Sequence, residues 1–269
     1  MKLSIVLSTH AAGFQAVAFK GDFEANVAKI AGWGYDGVEL AVRDPRLVNA
    51  GELERVVAGH GLRVPAIGTG QAWGEEGLSF TSDDESVRAA AVERIASHVP
   101  LAERLGAVVI VGLIRGVTPE GQTHERSMEH LVEAIRTCAE AAEGTGVQFA
   151  LEPMNRYETD LVHTARQGLE LVERVGSDQF GLLLDTFHMN IEEASIESSI
   201  KLVGDRIFHF HVADSNRWYP GAGHLDFGRI LETLAGTGYR GFVSGEFMPE
   251  PDADTAARCA IEHLHAVAD

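Results

Sequence analysis

The chain has 269 residues, 45% hydrophobic and 23% charged, a balance that fits a soluble protein able to bury a full core without staples. Its formal net charge of −18 repels nucleic-acid phosphates and anionic membrane surfaces, which argues against both as partners. Cys138 and Cys259 are its two cysteines; they show neither metal-type spacing nor a disulfide framework, and each reads as a small buried hydrophobe.

In chain order, short apolar runs alternate with longer stretches of helical period. Met1–Leu7 runs straight into the first strand, with no apolar stretch of signal-peptide length, and no segment reaches the length of a bilayer span, which points to the cytoplasm. The expected strands are Leu3–Leu7, Gly37–Ala41, Val64–Gly68, Ala107–Gly112, Gln148–Leu151, Gly181–Leu184, Ile207–His211 and Gly241–Ser244. The expected helices are Phe23–Trp33, Gly51–His60, Asp84–Leu105, Glu125–Glu143, Ala165–Val175, Ser195–Val203, Phe227–Ala235 and Ala253–Val267. Asp22 and Asp226 stand where caps belong, and Ser82–Glu85 matches a capping box before the longest helix. Glycines near the ends of several helices, among them Gly61 and Gly106, suit a left-handed cap. Strand–helix alternation implies a parallel sheet, and eight units in this length favour closure. The expectation is one domain over residues 1–269, an α/β chain forming a single (β/α)8 TIM barrel.

In that architecture chemistry gathers where strands end. Glu152 follows the fifth apolar run directly; a rim carboxylate needs a partner, either a metal or an arginine. Three leucines deliver Asp185 to the rim of the sixth strand, with His188 three residues on; Asp185 also suits a helix cap, and His188 a packed loop histidine. On the seventh strand His209 and His211 share one face and Phe208 and Phe210 the other. The histidines are expected inside, with His211 nearer the mouth as a ligand, His209 deeper, and the phenylalanines against the helices. Arg217 follows, where a guanidinium suits a substrate oxygen. Glu246 closes the eighth run. Each signal alone is weak, but four successive strands ending in Glu152, Asp185, His211 and Glu246 form a hard, oxygen-rich set. Such a set suits one divalent metal, Mn²⁺ first and Mg²⁺ or Co²⁺ next, and leaves room for two substrate oxygens. Arg43 and Arg115, after the second and fourth strands, read as surface ion-pair partners or as anion contacts.

At these residues the sequence resembles the xylose-isomerase-like sugar isomerase/epimerase superfamily, and within it the ketose 3-epimerases of the D-tagatose/D-psicose type. The resemblance runs over the whole chain and is sharpest in Glu152–Glu158, Leu184–Glu192 and Pro220–Gly223. It implies that Glu152, Asp185, His211 and Glu246 bind the metal and that Glu152 and Glu246 are also the acid/base pair. It further implies that Glu158, His188 and Arg217 contact the carbonyl end of a small sugar, and that the protein is a homodimer or homotetramer. The sequence departs from the pattern where the first strand ends Ser8–Thr9–His10, without aromatic residues, and in Val111–Arg115, which offers no aromatic wall.

The mechanism expected of such a site is proton removal beside a polarised carbonyl by one glutamate, a cis-enediolate, and proton return by the other. Arg217 and a protonated His188 would stabilise the oxyanion. Rivals on the same metal site are a hydroxypyruvate isomerase, an inosose dehydratase or isomerase, and a 3-keto-sugar lyase. A zinc apurinic endonuclease would need more rim His and Asp and a basic face, and a non-catalytic sugar-binding barrel would not need an acid/base pair.

Overall fold

The computed structural model describes all residues except 11, 12, 14 and 269. Eight parallel strands close on themselves: β1 Lys2–Ser8, β2 Gly37–Ala41, β3 Ala66–Gly68, β4 Val108–Val111, β5 Phe149–Leu151, β6 Phe180–Asp185, β7 Ile207–Val212 and β8 Phe242–Gly245. Closure is explicit in the pairing of β1 with both β2 and β8. A two-residue strand, Phe19–Lys20, adds to β1 outside the barrel. Around the strands lie helices α1 Phe23–Gly32, α2 Ala50–Gly59, α3 Gln71–Glu76, α4 Glu85–Ser97, α5 Val99–Leu105, α6 His124–Ala141, α7 Ala165–Val175, α8 Thr186–Glu192, α9 Ile196–Val203, α10 Phe227–Gly236 and α11 Ala253–Ala268. None of the described helices is long and apolar enough to cross a membrane.

The alternation of side chains along each strand sorts the interior into two layers. Val38, Leu40, Leu182, Leu184, Phe210 and Val243 join the main core between strands and helices. Ala66, Ile110, Ala150 and Leu183 form a separate cluster, small residues that fit the narrow inside of an eight-stranded barrel. Phe208 packs against that inner cluster, against expectation. The register between β6 and β7 shifts at Leu182/Leu183, so that Leu182 pairs with Ile207 and Leu183 already with His209. An extra residue at such a shift breaks the strict inside/outside alternation.

Local corrections have equally physical causes. The stretch expected as one helix, Asp84–Leu105, divides at His98, with Pro100 in the first turn of α5, because proline cannot supply the N–H that a continuing helix needs. The cap of α4 is Asp84, which accepts from the Ser86 amide, in place of Ser82. Asp22 sits at the cap of α1 in a left-handed conformation and makes no capping bond, whereas Asp226 accepts from the Arg229 amide as expected. The short helices α3 and α8, within loops after β3 and β6, carried no sequence expectation. Cys138 is buried and Cys259 half-buried, both unpaired.

Candidate active site

The fold brings Glu152, Asp185, His211 and Glu246 to one point at the C-terminal mouth. One donor atom from each lies within 4.8 Å of all the others. Backbone pairing aims them there. Asp185 and His211 stand opposite each other in the β6–β7 ladder. Glu152 and Glu246, each just past its strand, still donate their amides to Val111 and Val212 of the preceding strand. Nδ1 of His211 faces the three carboxylates at 3.9 Å from Glu152, 3.9 Å from Asp185 and 3.7 Å from Glu246.

The donor set fits a divalent cation. Oε1 of Glu152 and Nδ1 of His211 are buried and have no hydrogen-bond partner, and a buried polar atom left unpaired is costly. Three carboxylates and one imidazole nitrogen are the hard, mixed O/N donors that Mn²⁺, Mg²⁺ or Co²⁺ take. Arg217 is the cation supplied by the chain itself: its guanidinium donates to both Asp185 and Glu246 and lies over the ring of Phe187 at 4.8 Å. Asp185 also accepts from the Phe187 amide, so the residue caps α8 as well as standing in the cluster.

These environments push the carboxylates apart. Burial, reinforced by the Glu246 charge, raises Glu152 well above the usual carboxylate range. Burial also acts to raise Asp185, but the charges of Arg217 and His211 and the hydrogen bond from Arg217 outweigh it and hold this residue low. Burial pushes the His211 imidazole down, yet Glu39 and Glu246 overcome it and hold the group well above its ordinary value.

His188 reaches the site, with Nε2 3.5 Å from Glu152, but not in the protonated form expected. Its Nδ1 receives the side-chain amide of Asn155 at 2.8 Å and the Asn155 backbone amide at 3.3 Å, so that nitrogen is an acceptor. The Asn155 amide is itself oriented, since its oxygen accepts from the Tyr157 amide and its nitrogen also donates to Glu158. Burial lowers His188 to about 3. The ring is neutral and carries its proton on Nε2, toward Glu152. Glu158 lies beside it, 3.9 Å from Nδ1, and burial raises its carboxyl.

A cavity of about 280 Å³ opens from this cluster across the barrel. Glu152, His188, His211, Arg217 and Glu246 line it together with Val6, Val17, Thr69, Gln71 and Trp73. The aromatic wall that the ends of β1 and β4 lack comes from Trp73 of α3. Four residues here had no role in the sequence reading, and a fifth, Arg115, had another one. Trp73 lay in an unforeseen helix, and Asn155 lay inside a stretch noted only for resemblance. Glu39, a lone acid inside an apolar strand, is buried and accepts from His209 at 2.7 Å and from His211 at 3.0 Å. Asp214 is buried and accepts from the amides of Ser215, Gly221 and Leu225, which shapes the loop that carries Arg217. Arg115 is neither surface ion-pair partner nor anion site: it is fully buried and donates to main-chain carbonyls of Val111, Gly112, Glu152 and Leu161. Arg43, by contrast, pairs with Glu75 and Glu76 at the surface, as expected.

Metal affinity should therefore depend steeply on pH. A cation held there would compete with the proton on His211, whose hold Glu39 and Glu246 strengthen. Apparent affinity for Mn²⁺ should fall about tenfold per pH unit per displaced proton as pH drops from about 8 to about 6. The metal-free fold should change in the opposite sense. A raised pKa contributes stability below the unfolded value that is lost as pH rises through the folded one, so the metal-free protein should weaken on the alkaline side and the loaded protein should not. Calorimetric metal titration and thermal melts across pH, with and without metal, check both signs.

Comparison with known proteins agrees with this geometry. Residues 27–267 match the family model described as xylose isomerase-like TIM barrel. L-ribulose 3-epimerase of Mesorhizobium japonicum is 34% identical over 243 residues, covering 89% of this chain and 80% of that protein. D-psicose 3-epimerase of Ruminiclostridium cellulolyticum is 32% identical over 232 residues, covering 84% and 78%. The crystal structure of D-psicose 3-epimerase with D-tagatose from Clostridium cellulolyticum H10 superposes with a TM-score of 0.85 at 27% identity, covering 99% of each chain. With a barrel closed as expected, a four-donor cluster at its mouth and a family match over most of its length, the chain belongs to the xylose isomerase-like TIM barrel family.

Proposed function

We propose that the chain is a metal-dependent ketose 3-epimerase that moves a proton at C3 of a small sugar between Glu152 and Glu246. The observation that carries this reading is the placement of two carboxylates, three strands apart around the barrel, on one cluster with Asp185 and His211. The names of the relatives support it.

Glu152, Asp185, His211 and Glu246 would hold one divalent cation, Mn²⁺ before Mg²⁺ or Co²⁺. When bound, the cation supplies the positive charge that polarises a ketose carbonyl and acidifies the neighbouring C–H. The chain's own residues do the rest. Glu152 is suited to give a proton to carbon and Glu246 to take one, each while only loosely held by the cation, which would lower the basicity of a tightly bound carboxylate. Arg217 and the Nε2–H of His188 are donors for the developing oxyanion. Glu158, bonded to Asn155, orients the carbonyl end. Val6, Val17 and Trp73 hold the far end of the sugar and exclude water. The protein is expected to work as a homo-oligomer in the cytoplasm.

The test is exchange in D₂O. With a panel of free ketoses and the metal-loaded protein, deuterium should enter at C3 together with appearance of the C3 epimer. Deuterium at C1 or C2 with an aldose product would replace epimerase by isomerase on the same residues. Absence of exchange with every ketose despite a bound metal would reject the reading.

A further inference from the structure

Glu39 has no part in the proton transfers just described, yet it sits buried under the cluster and lines the cavity. Its neighbours are the two histidines of β7, whose rings meet edge to face at 5.2 Å. Oε2 of Glu39 lies 2.7 Å from Nε2 of His209 and 3.0 Å from Nε2 of His211, and Oε1 lies 3.1 Å from the latter. A carboxylate oxygen approached by two imidazole nitrogens at hydrogen-bond distance accepts from both, so each ring presents its Nε2–H to Glu39. Any proton that His211 gives up therefore leaves from Nδ1, the nitrogen that faces Glu152, Asp185 and Glu246 without a partner of its own.

We propose that Glu39 is a positioning residue that fixes the ring plane and tautomer of His211 so that Nδ1 is offered to the divalent cation, with His209 as the brace that holds Glu39 in place. The inference rests on the metal reading of the cluster. It explains why an acid interrupts the apolar strand Gly37–Ala41 at an inward position, and why β7 carries a second buried histidine below the ligand. A carboxylate behind a ligating imidazole typically changes metal affinity by about 10–100-fold.

Glu39→Gln is the decisive variant. Its amide has one accepting and one donating end, and it faces two N–H donors. With its oxygen in the place of Oε2, its nitrogen sits where Oε1 lies 3.1 Å from His211 Nε2, so His211 is driven either to turn its ring or to accept there and carry its proton on Nδ1. On the stripped full-length protein, calorimetric titration with Mn²⁺ should show affinity about 10–100-fold weaker than wild type, with a shifted d–d absorption spectrum when Co²⁺ is the probe. His209→Gln keeps an N–H donor toward Glu39 and should lose less than about tenfold. A merely structural role would lower the melting temperature of the metal-free protein and leave the Co²⁺ spectrum unmoved, which would overturn the proposal. So would a folded Glu39→Gln protein with wild-type affinity. If that variant does not fold, Glu39→Asp gives the same reading: one methylene shorter, it cannot hold both rings, and unchanged Mn²⁺ affinity would overturn the proposal. Failure of the wild type to bind Mn²⁺, Mg²⁺ or Co²⁺ would instead sink the metal reading itself.

Discussion

Glu246→Gln and Glu152→Gln should each reduce C3 exchange by about 10²–10⁴-fold, the usual worth of a positioned acid or base, while the barrel stays folded. The amide keeps the shape of the side chain and one oxygen for the cation, so some Mn²⁺ binding should survive in both. The two variants should differ in a way that identifies the roles. Glu152 lies beside the Nε2–H of His188 and is raised by burial, whereas Glu246 receives Arg217. If Glu246 takes the proton from one epimer and Glu152 returns it, Glu246→Gln should block wash-in of deuterium from that epimer. Glu152→Gln should still allow slow wash-out from the same carbon without inversion. Proton NMR of a C3-deuterated ketose and of its epimer, each incubated with each variant, separates these cases. Exchange at the wild-type rate in either variant would remove that glutamate from the mechanism.

Much of this site was legible because barrel geometry converts sequence order into place. An apolar run that ends in Glu or Asp must deliver that side chain to the mouth, and four such runs in succession specified Glu152, Asp185, His211 and Glu246 together. Helix starts were less legible. Asp84 and Ser82 both qualify as caps, and only the turn geometry decides between them. Pairwise relations across the barrel were not legible at all. Glu39 is separated from His209 by 170 residues, and nothing in the local pattern of β2 names its partner, although an acid inside a fully apolar strand signalled that one must exist. His188 reaches the site but with a charge other than the one expected, because burial in the assembled fold keeps the ring neutral and Asn155, whose donors reach it across two loops, fixes which nitrogen carries the proton.

Arg115 is the sharpest case, and its replacement should have the largest effect on the fold. A guanidinium is expected at the surface, where it costs nothing to charge. Here it is fully buried and, among the described residues, makes no ion pair with a carboxylate; burial pushes it down to about 10. What holds it is a fork of donors that ties the end of β4, through Val111 and Gly112, to the Glu152 carbonyl after β5 and the Leu161 carbonyl beyond. The geometry fixes the backbone of Glu152 from behind, while the side chain of Glu152 reaches into the cluster. Arg115→Met fills similar volume and removes the desolvation cost of the charge, which works in the variant's favour. It also takes the donor from the buried carbonyls of Glu152 and Leu161, at about 1–3 kcal/mol each, whereas those of Val111 and Gly112 keep the amides of Glu152 and Arg115. The second term should win, with a net loss of about 1–3 kcal/mol and a melting temperature roughly 5 °C lower for a chain of this size. Arg115→Lys keeps the charge but has fewer and less spread donors, so it should fall between the variant and wild type in stability. Both should lose kcat more than KM, because a shift of about 1 Å at Glu152 costs up to about 10²-fold in the proton transfer while leaving the far end of the sugar in place. Thermal melts with and without Mn²⁺, together with steady-state rates on the ketose that exchanges, check each step. A stable Arg115→Met protein with unchanged kcat would show that the strand ends hold Glu152 without help.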